Sequence, residues 1–225
     1  MINWPEINTV LLDMDGTLLD LHFDTKFWLE HIPLAIAKKR GITLQEAKNA
    51  MEPKYSSVLG KIQWYCLDYW QKELDLPIIE LKHEISHLIQ IRPDTIPFLD
   101  ALKSAGKRVV LVTNAHPDSL SLKIEKTQLD SHIDEIISCH TFGVTKESQT
   151  LWKKLQQELK FEKKSTLFVD DSHQVLLAAQ AFGIKHILAV ANPNSQIPAK
   201  NIEGFQNIED YRTLLEEIEQ SSVDT

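Results

Sequence analysis

The run from Val10 to Leu19, Val-Leu-Leu-Asp-Met-Asp-Gly-Thr-Leu-Leu, constrains this chain more than any other segment. Its first part, Thr9 to Leu12, is an apolar run of the kind a parallel strand buried on both faces shows. It stops in two carboxylates one residue apart, Asp13 and Asp15, followed by Gly16 and Thr17. An acidic turn would use the same residues, because Asp and Gly are ordinary turn formers. A strand that ends this way at the carboxyl edge of an open α/β sheet does something else. It aims carboxylates into the crevice where such sheets bind ligands.

The downstream sequence favours the second reading. Lys107 to Val112 is another buried-strand pattern, ending in Thr113-Asn114 before a helix that opens near Pro117, a residue suited to a first helical turn. The hydroxyl and amide of that pair can hold phosphate oxygens, or simply cap the helix. Lys146 stands just ahead of a helical pattern from Glu147 to Leu159. A lone lysine is ordinarily solvated, so its meaning depends on its company. Ser165 to Ser172 is a further apolar strand ending in adjacent carboxylates, Asp170 and Asp171, with a helix from Ser172 to Phe182 that closes at Gly183. Four strand ends thus deliver Asp-x-Asp, Thr-Asn, Lys and Asp-Asp in order.

With these four motifs in this order, the chain resembles the haloacid dehalogenase superfamily of phosphotransferases. The resemblance implies an α/β fold, a Rossmann-like core with a central parallel sheet, here of five strands counting Lys185 to Val190. Phosphate-ester chemistry explains the residue types. Mg²⁺ prefers oxygen ligands, one or two carboxylates with phosphate oxygens and waters, and shields the anionic ester from an attacking carboxylate. Asp13 is the candidate nucleophile, forming an aspartyl-phosphate that water cleaves. Asp15 is the candidate general acid and base, and by resemblance its backbone carbonyl also ligates the metal. Asp171 resembles the direct metal ligand of the last motif, with Asp170 ligating or holding a metal water. Thr113, Asn114 and Lys146 would neutralise the phosphoryl oxygens. The dehalogenases proper lack the second aspartate and need no metal, so Asp15 argues for phosphate chemistry. The last two acids are adjacent and the residues near Val175 are apolar, so no later metal ligand is carried over.

Between Leu21 and Arg92 the pattern is helical with polar interruptions. Phe27 to Ala37 suggests one helix. Thr43 to Met51 suggests a second, with Thr43 and Glu46 forming a capping box. Pro53 separates that helix from a third, Tyr55 to Leu74, and Pro77 precedes a fourth running to about Gln90. Such an insertion matches the superfamily's helical class 1 cap, which predicts a core of residues 1–20 and 93–225 and a cap of residues 21–92. In the third helix Val58, Ile62, Tyr65 and Tyr69 share one face, the spacing of a small core. Lys61, Trp64 and Asp68 share another, combining a cation, a stacking plane and an acceptor that suit a purine. His22, His116, His140 and His173 fall near the catalytic loops, where capping or surface roles suffice.

Among 225 residues, 43% are hydrophobic and 25% charged, the balance of a globular protein built as one domain or one with an insertion. A formal charge of −8 disfavours nucleic acid as a partner. It does not disfavour a phosphorylated metabolite, because a bound Mg²⁺ and Lys146 reverse the sign locally. Two cysteines, Cys66 and Cys139, exclude a disulfide framework and fit a reducing compartment. No basic-plus-apolar leader precedes the first strand and no apolar run can span a bilayer, so a cytoplasmic protein without membrane contact is expected. Ser221 to Thr225 reads as a frayed tail.

The strings from Leu11 to Leu21, Trp64 to Trp70, Asp94 to Leu99, Thr113 to Pro117 and His140 to Gly143 resemble the bacterial GMP/IMP nucleotidase branch of the superfamily. That implies hydrolysis of purine 5′-mononucleotides. The competing expectations are a phosphatase of sugar phosphates or phosphoglycolate, a phosphomutase, and a non-catalytic phosphate-binding module. The last would be expected to have lost Asp13, Asp15 or the final acids.

Overall fold

The computed structural model describes residues 2–221, so most of the expected frayed tail lies outside the described residues. A parallel sheet of six strands runs in the order β3-β2-β1-β4-β5-β6. The strands are β1 (Thr9–Leu12), β2 (Arg108–Thr113), β3 (Glu135–Ser138), β4 (Thr166–Asp170), β5 (His186–Val190) and β6 (Gln206–Ile208). The sixth, a short strand of mixed polarity at the edge, carries no apolar run, which is why the sequence reading of five strands omits it.

Alternation along the central strands supplies two cores. Val10, Leu12, Val109, Leu111, Val169 and Val190 point to one face, where Phe98, Leu102, Tyr211 and Ile218 cover them. Leu11, Val110, Val112, Phe168 and Ala189 point to the other, against Trp152, Leu155, Val175 and Phe182. A strand buried on both faces must be apolar throughout, and β1 is fully buried along its length. The connections leave β1 towards β2 and β3 on one side and towards β4, β5 and β6 on the other. The order therefore reverses between β1 and β4, the crevice where open α/β sheets hold ligands beyond their carboxyl ends.

Between β1 and β2 the chain makes a helical excursion before α7 (Thr95–Ser104) returns it to the sheet. Its helices are α1 (His22–Lys26), α2 (Ile32–Arg40), α3 (Leu44–Val58), α4 (Ile62–Tyr65), α5 (Leu67–Leu74) and α6 (Ile78–Glu84). They enclose a core of their own around Phe27, Ile32, Met51, Leu67, Trp70 and Ile78. The first expected helix is longer than its apolar stripe, because a π-helical turn over Phe27–His31 joins α1 to α2. The capping box is present, with Thr43 and Glu46 satisfying each other's backbone N–H groups.

Pro53 does not end a helix as expected; it lies inside α3. The carbonyl it frees, four residues back at Asn49, sits on an exposed stretch of the helix and can bond water instead. The interruptions come later, at Gly60 with φ +75° and at Cys66, which divides α4 from α5. The third helix expected over Tyr55 to Leu74 is thus the end of α3 followed by two short pieces, and residues 58 to 69 do not keep a common helical register.

Where the excursion leaves and rejoins the core, Leu19 and Ile91 pair as an antiparallel bridge, and the Asp20 N–H donates to the Gln90 carbonyl at 2.9 Å. Arg92 is buried beside this junction, donating to the Asn192 carbonyl, the Glu209 carbonyl and Asp94. The remaining crossovers are α8 (Pro117–Thr127), α9 (Gln149–Leu159) and α10 (His173–Phe182), with α11 (Leu215–Gln220) packed on α7.

The turn after β1 depends on one glycine. Gly16 has φ +84°, and a Cβ there would meet Asp171 Oδ2 at 2.5 Å and its carboxyl carbon at 2.7 Å. Gly16→Ala should therefore lose stability through both backbone strain and displacement of Asp171, by roughly 1–3 kcal/mol for the strain alone. Urea denaturation measures this, and an unchanged midpoint would contradict it.

Candidate active site

The reversal point brings the carboxyl ends of β1 and β4 side by side, and with them the acids. Asp13 extends β1 by one residue, its N–H donating to the Val169 carbonyl at 3.0 Å. Asp170 closes β4, and Asp171 follows it. Oxygens of Asp13, Asp170 and Asp171 all lie within 4.8 Å of one another.

Lys146 enters this group from the loop ahead of α9. Its ammonium donates to Asp13 Oδ1 and, at 2.7 Å, to Asp170 Oδ2. The lysine is not at a strand end as expected: β3 finishes at Ser138, and a 3-10 turn and a loop intervene. Side-chain bonds hold that loop instead. Asn114 Oδ1 accepts the Lys146 N–H at 2.9 Å, and the Trp152 indole donates to the Lys146 carbonyl at 2.8 Å. Ser172 donates its N–H to Asp170 Oδ1, fixing the second carboxylate.

Burial raises Asp13 to about 6 and also raises Asp170; Lys146 opposes the rise in both. Asp171 is pushed well up by burial and by the neighbouring Asp170 and Asp13. For Lys146, burial acts against the charge, but Asp13 and Asp170 outweigh it and hold the ammonium firmly protonated. Three carboxylates against one ammonium leave an excess of negative charge. An all-oxygen set of this kind fits a hard divalent cation such as Mg²⁺.

Asp15 turns away from the group. Its Oδ1 accepts from Lys123 Nζ at 2.6 Å, and the same ammonium donates to Asp24 Oδ2 at 2.6 Å. Asp24 Oδ1 in turn accepts from Lys82 Nζ at 3.0 Å. Burial lifts Asp15 to about 6 despite Lys123. Burial alone would lift Asp24 too, but Lys123 and Lys82 outweigh it and hold that carboxyl at about 2. The sequence reading missed Lys123, Asp24 and Lys82. A signal existed for the first, because Ser119, Leu122 and Lys123 form the buried face of α8.

Thr113 and Asn114 line the same cavity, of about 200 Å³, as Asp13, Asp15 and Lys146. Thr113 Oγ1 accepts the Ala115 N–H at 3.0 Å, and Asn114 Nδ2 donates to Glu147 at 3.2 Å. Tyr65 reaches Glu147 from the helical excursion, its hydroxyl 3.3 Å from Oε1. Tyr65 thus faces the site and not the small core expected for it, whereas Val58 is buried in that core and Tyr69 packs against it. The broken helix is the cause.

A second cavity, of about 330 Å³, opens beside the first and shares Asp15, Leu21, Tyr65 and Ala115 with it. Trp28, Tyr55, Trp64 and Leu67 form its apolar wall, with Lys82 and Lys123 among its polar lining. Tyr55 stands edge-on to Trp64, ring centroids 5.6 Å apart, and donates to the Trp28 carbonyl at 2.6 Å. Of the expected trio Lys61, Trp64 and Asp68, only Trp64 lines this cavity. Lys61 caps α4 and donates to the Ser57 carbonyl. Asp68 is 77% exposed and faces His116.

Known proteins resemble this chain over most of its length. Over 214 residues, 95% of this chain and 96% of the relative, the sequence is 46% identical to GMP/IMP nucleotidase YrfG of Escherichia coli (strain K12). It is 28% identical to phosphoglycolate phosphatase of Aquifex aeolicus (strain VF5) over 200 residues, 85% of this chain and 90% of that one. The fold matches the crystal structure of a HAD phosphatase from Thermococcus onnurineus with a TM-score of 0.78, covering 94% of this chain and 98% of that one at 22% identity. Residues 7–183, which include Asp13, Asn114, Lys146 and Asp170, match the haloacid dehalogenase-like hydrolase profile, and the chain belongs to that family of hydrolases.

Proposed function

We propose that this hydrolase removes phosphate from purine 5′-mononucleotides of the GMP/IMP type, with Mg²⁺ held by Asp13, Asp170 and Asp171 and by the backbone carbonyl of Asp15. The observation that carries this reading is the pairing of two cavities that meet at Asp15 and Tyr65. One is small, polar and rich in carboxylates; the other is apolar and walled by aromatic rings. A mononucleotide has the same division, a phosphate at one end and a flat base at the other. The 46% identity to a GMP/IMP nucleotidase over nearly the whole chain supports the substrate class. Phosphoglycolate, the substrate in the name of the 28% identical relative, has no ring to occupy the aromatic cavity.

On this reading Mg²⁺ would screen the charge of the phosphate from the carboxylates around it. Lys146 fixes the orientation of Asp13, which attacks phosphorus to give an aspartyl-phosphate. Asp15 gives a proton to the departing ribose 5′-oxygen, then takes one from the water that cleaves the intermediate. Lys123 positions Asp15 for both transfers. Thr113, Asn114 and Lys146 hold the phosphoryl oxygens. Residues 21–92 serve as the cap over a core of 1–20 and 93–225, excluding water when substrate is bound. A cytoplasmic site of action fits the two free cysteines, Cys66 and Cys139, and among the described residues no helix is long and apolar enough to cross a membrane.

Three experiments test the proposal. Chelator should abolish phosphate release from GMP or IMP, Mg²⁺ should restore it, and Ca²⁺, with its looser coordination, should restore little. Mg²⁺ should also raise the melting temperature of the chelated protein, because it binds only the folded state; full activity in excess chelator would reject the metal. Asp13→Asn should fold and release essentially no phosphate, since an amide cannot form the acyl phosphate. Normal turnover by that variant, freed of host phosphatase, would remove Asp13 from the role of nucleophile. Trp64→Ala should slow GMP turnover on the order of tenfold to a hundredfold, the roughly 1–3 kcal/mol of a base–aromatic stack, while leaving nitrophenyl phosphate nearly unchanged. Equal losses on both esters with a lowered melting temperature would make Trp64 a packing residue.

A further inference from the structure

Three of the sequence strings singled out above contribute side chains for which the proposed hydrolysis has no use: Cys66, His116 and His140. They come from three places in the fold. Cys66 lies at the joint between α4 and α5, His116 caps the start of α8, and His140 sits in the 3-10 turn after β3. The fold nevertheless brings one ligand atom of each within 4.8 Å of the others. The two imidazole rings stand edge to face with centroids 5.0 Å apart. Asp68, two residues beyond Cys66, places Oδ2 3.5 Å from His116 Nε2.

The protonation pattern leaves one lone pair, on His140, without a partner. His140 Nε2 is buried and has no hydrogen-bond partner. The Asn114 backbone carbonyl faces the same ring, so its contact falls to Nδ1. A proton held there by a carbonyl fixes the tautomer in which Nε2 is a free donor of electrons, the usual preparation of a metal-binding histidine. His116 Nδ1 accepts the Asp118 N–H at 3.3 Å, which puts the ring proton on Nε2; an ion at Nε2 sends that proton to Nδ1, where the Asp118 carboxylate, 3.6 Å away, replaces the N–H as its partner. A buried polar atom without a partner is costly to a fold, and His140 Nε2 has a use only if something binds it.

We propose that Cys66, His116 and His140, with Asp68 as the fourth ligand, bind a borderline divalent cation of the Zn²⁺ type. Thiolate and imidazole are the ligands Zn²⁺ prefers, in contrast to the all-oxygen group around Asp13. Zn–S and Zn–N bonds of about 2.3 and 2.0–2.1 Å put tetrahedral ligands roughly 3.3–3.8 Å apart, so closing on the ion needs side-chain shifts of about 1 Å. Binding breaks the Cys66 S–H bond and releases that proton to solvent. One thiolate and one carboxylate then balance the two charges of the ion. Because Cys66 and Asp68 belong to the helical excursion and both histidines to the core, the ion ties the two together beside Asn114.

Cobalt in place of zinc gives a readout that the carboxylate site cannot imitate, because only a thiolate ligand produces sulfur-to-cobalt charge-transfer absorption in the near ultraviolet. The reduced, chelator-treated protein is titrated with Co²⁺ in the presence of excess Mg²⁺. The expected result is a charge-transfer band that saturates at one equivalent, with the visible intensity of a tetrahedral ion, and is lost on adding Zn²⁺. Cys66→Ser should abolish the band. His140→Gln should weaken binding by more than the roughly 10–100-fold that loss of a supporting group costs. Thermal melting checks that both variants are folded. Cobalt bound without the band, or a band that survives in Cys66→Ser and so comes from Cys139, would overturn the proposal. Since the band reports sulfur alone, the Mg²⁺ reading of the Asp13 group stands or falls separately.

Discussion

The site depends on holding negative charge at a sheet edge that water barely reaches. Asp13 and Asp170 are almost wholly buried, an oxygen of Asp171 lies within 4.8 Å of each, and one buried ammonium, Lys146, pairs with the first two. Ion pairs out of water rarely repay the loss of hydration, and a surplus of one sign repays it least. Such an arrangement persists only because the sheet beneath it is over-determined. Parallel pairing fixes the ends of β1 and β4 from both sides, and two apolar cores hold the strands in register. The stability of the strands is what keeps the acids together, and the acids in turn define what the edge can attract.

A second line of charge runs across the first. Asp15, Lys123, Asp24 and Lys82 alternate in sign, and each neighbouring pair is bonded within 3.0 Å. Alternation lets buried charges satisfy one another without a net surplus, so this chain is electrically quiet where the Asp13 group is not. Its members are divided between the core and the helical excursion. Lys82 is further held over the rings of Phe23 and Phe27, 4.8 and 4.5 Å from their centroids. The carboxylate next to Asp13 therefore takes its orientation in part from residues of the excursion.

Much of this was legible before any coordinates. Apolar runs gave β1, β2 and β4, because a doubly buried strand has no alternative composition, and the polar residues that end them marked the site. β6 was not legible, since a short edge strand needs few apolar residues. Pro53 misled because the cost of a helical proline falls when the freed carbonyl is solvated. The breaks at Gly60 and Cys66 misled more seriously, since without a common helical register Tyr65 lines the candidate site while Lys61 and Asp68 lie outside both cavities. Asp24, Lys82 and Lys123 were hidden for a different reason. Charged residues on helices are ordinarily solvated, so apart from the spacing that placed Lys123 on the buried face of α8, only long-range packing brings these three together.

The bridge between Leu19 and Ile91 has an architectural consequence. The chain leaves the sheet and returns to it at points joined by one backbone pairing, so the path through residues 20 to 90 begins and ends at nearly the same place. Loops whose ends already touch impose little strain on what they interrupt, and their length matters only weakly to the closure entropy. The sheet and its acids can accordingly stay fixed while the excursion changes in size, sequence or helix number. A lineage built this way explores new substrates by exchanging one cassette at one junction, with the chemistry inherited intact.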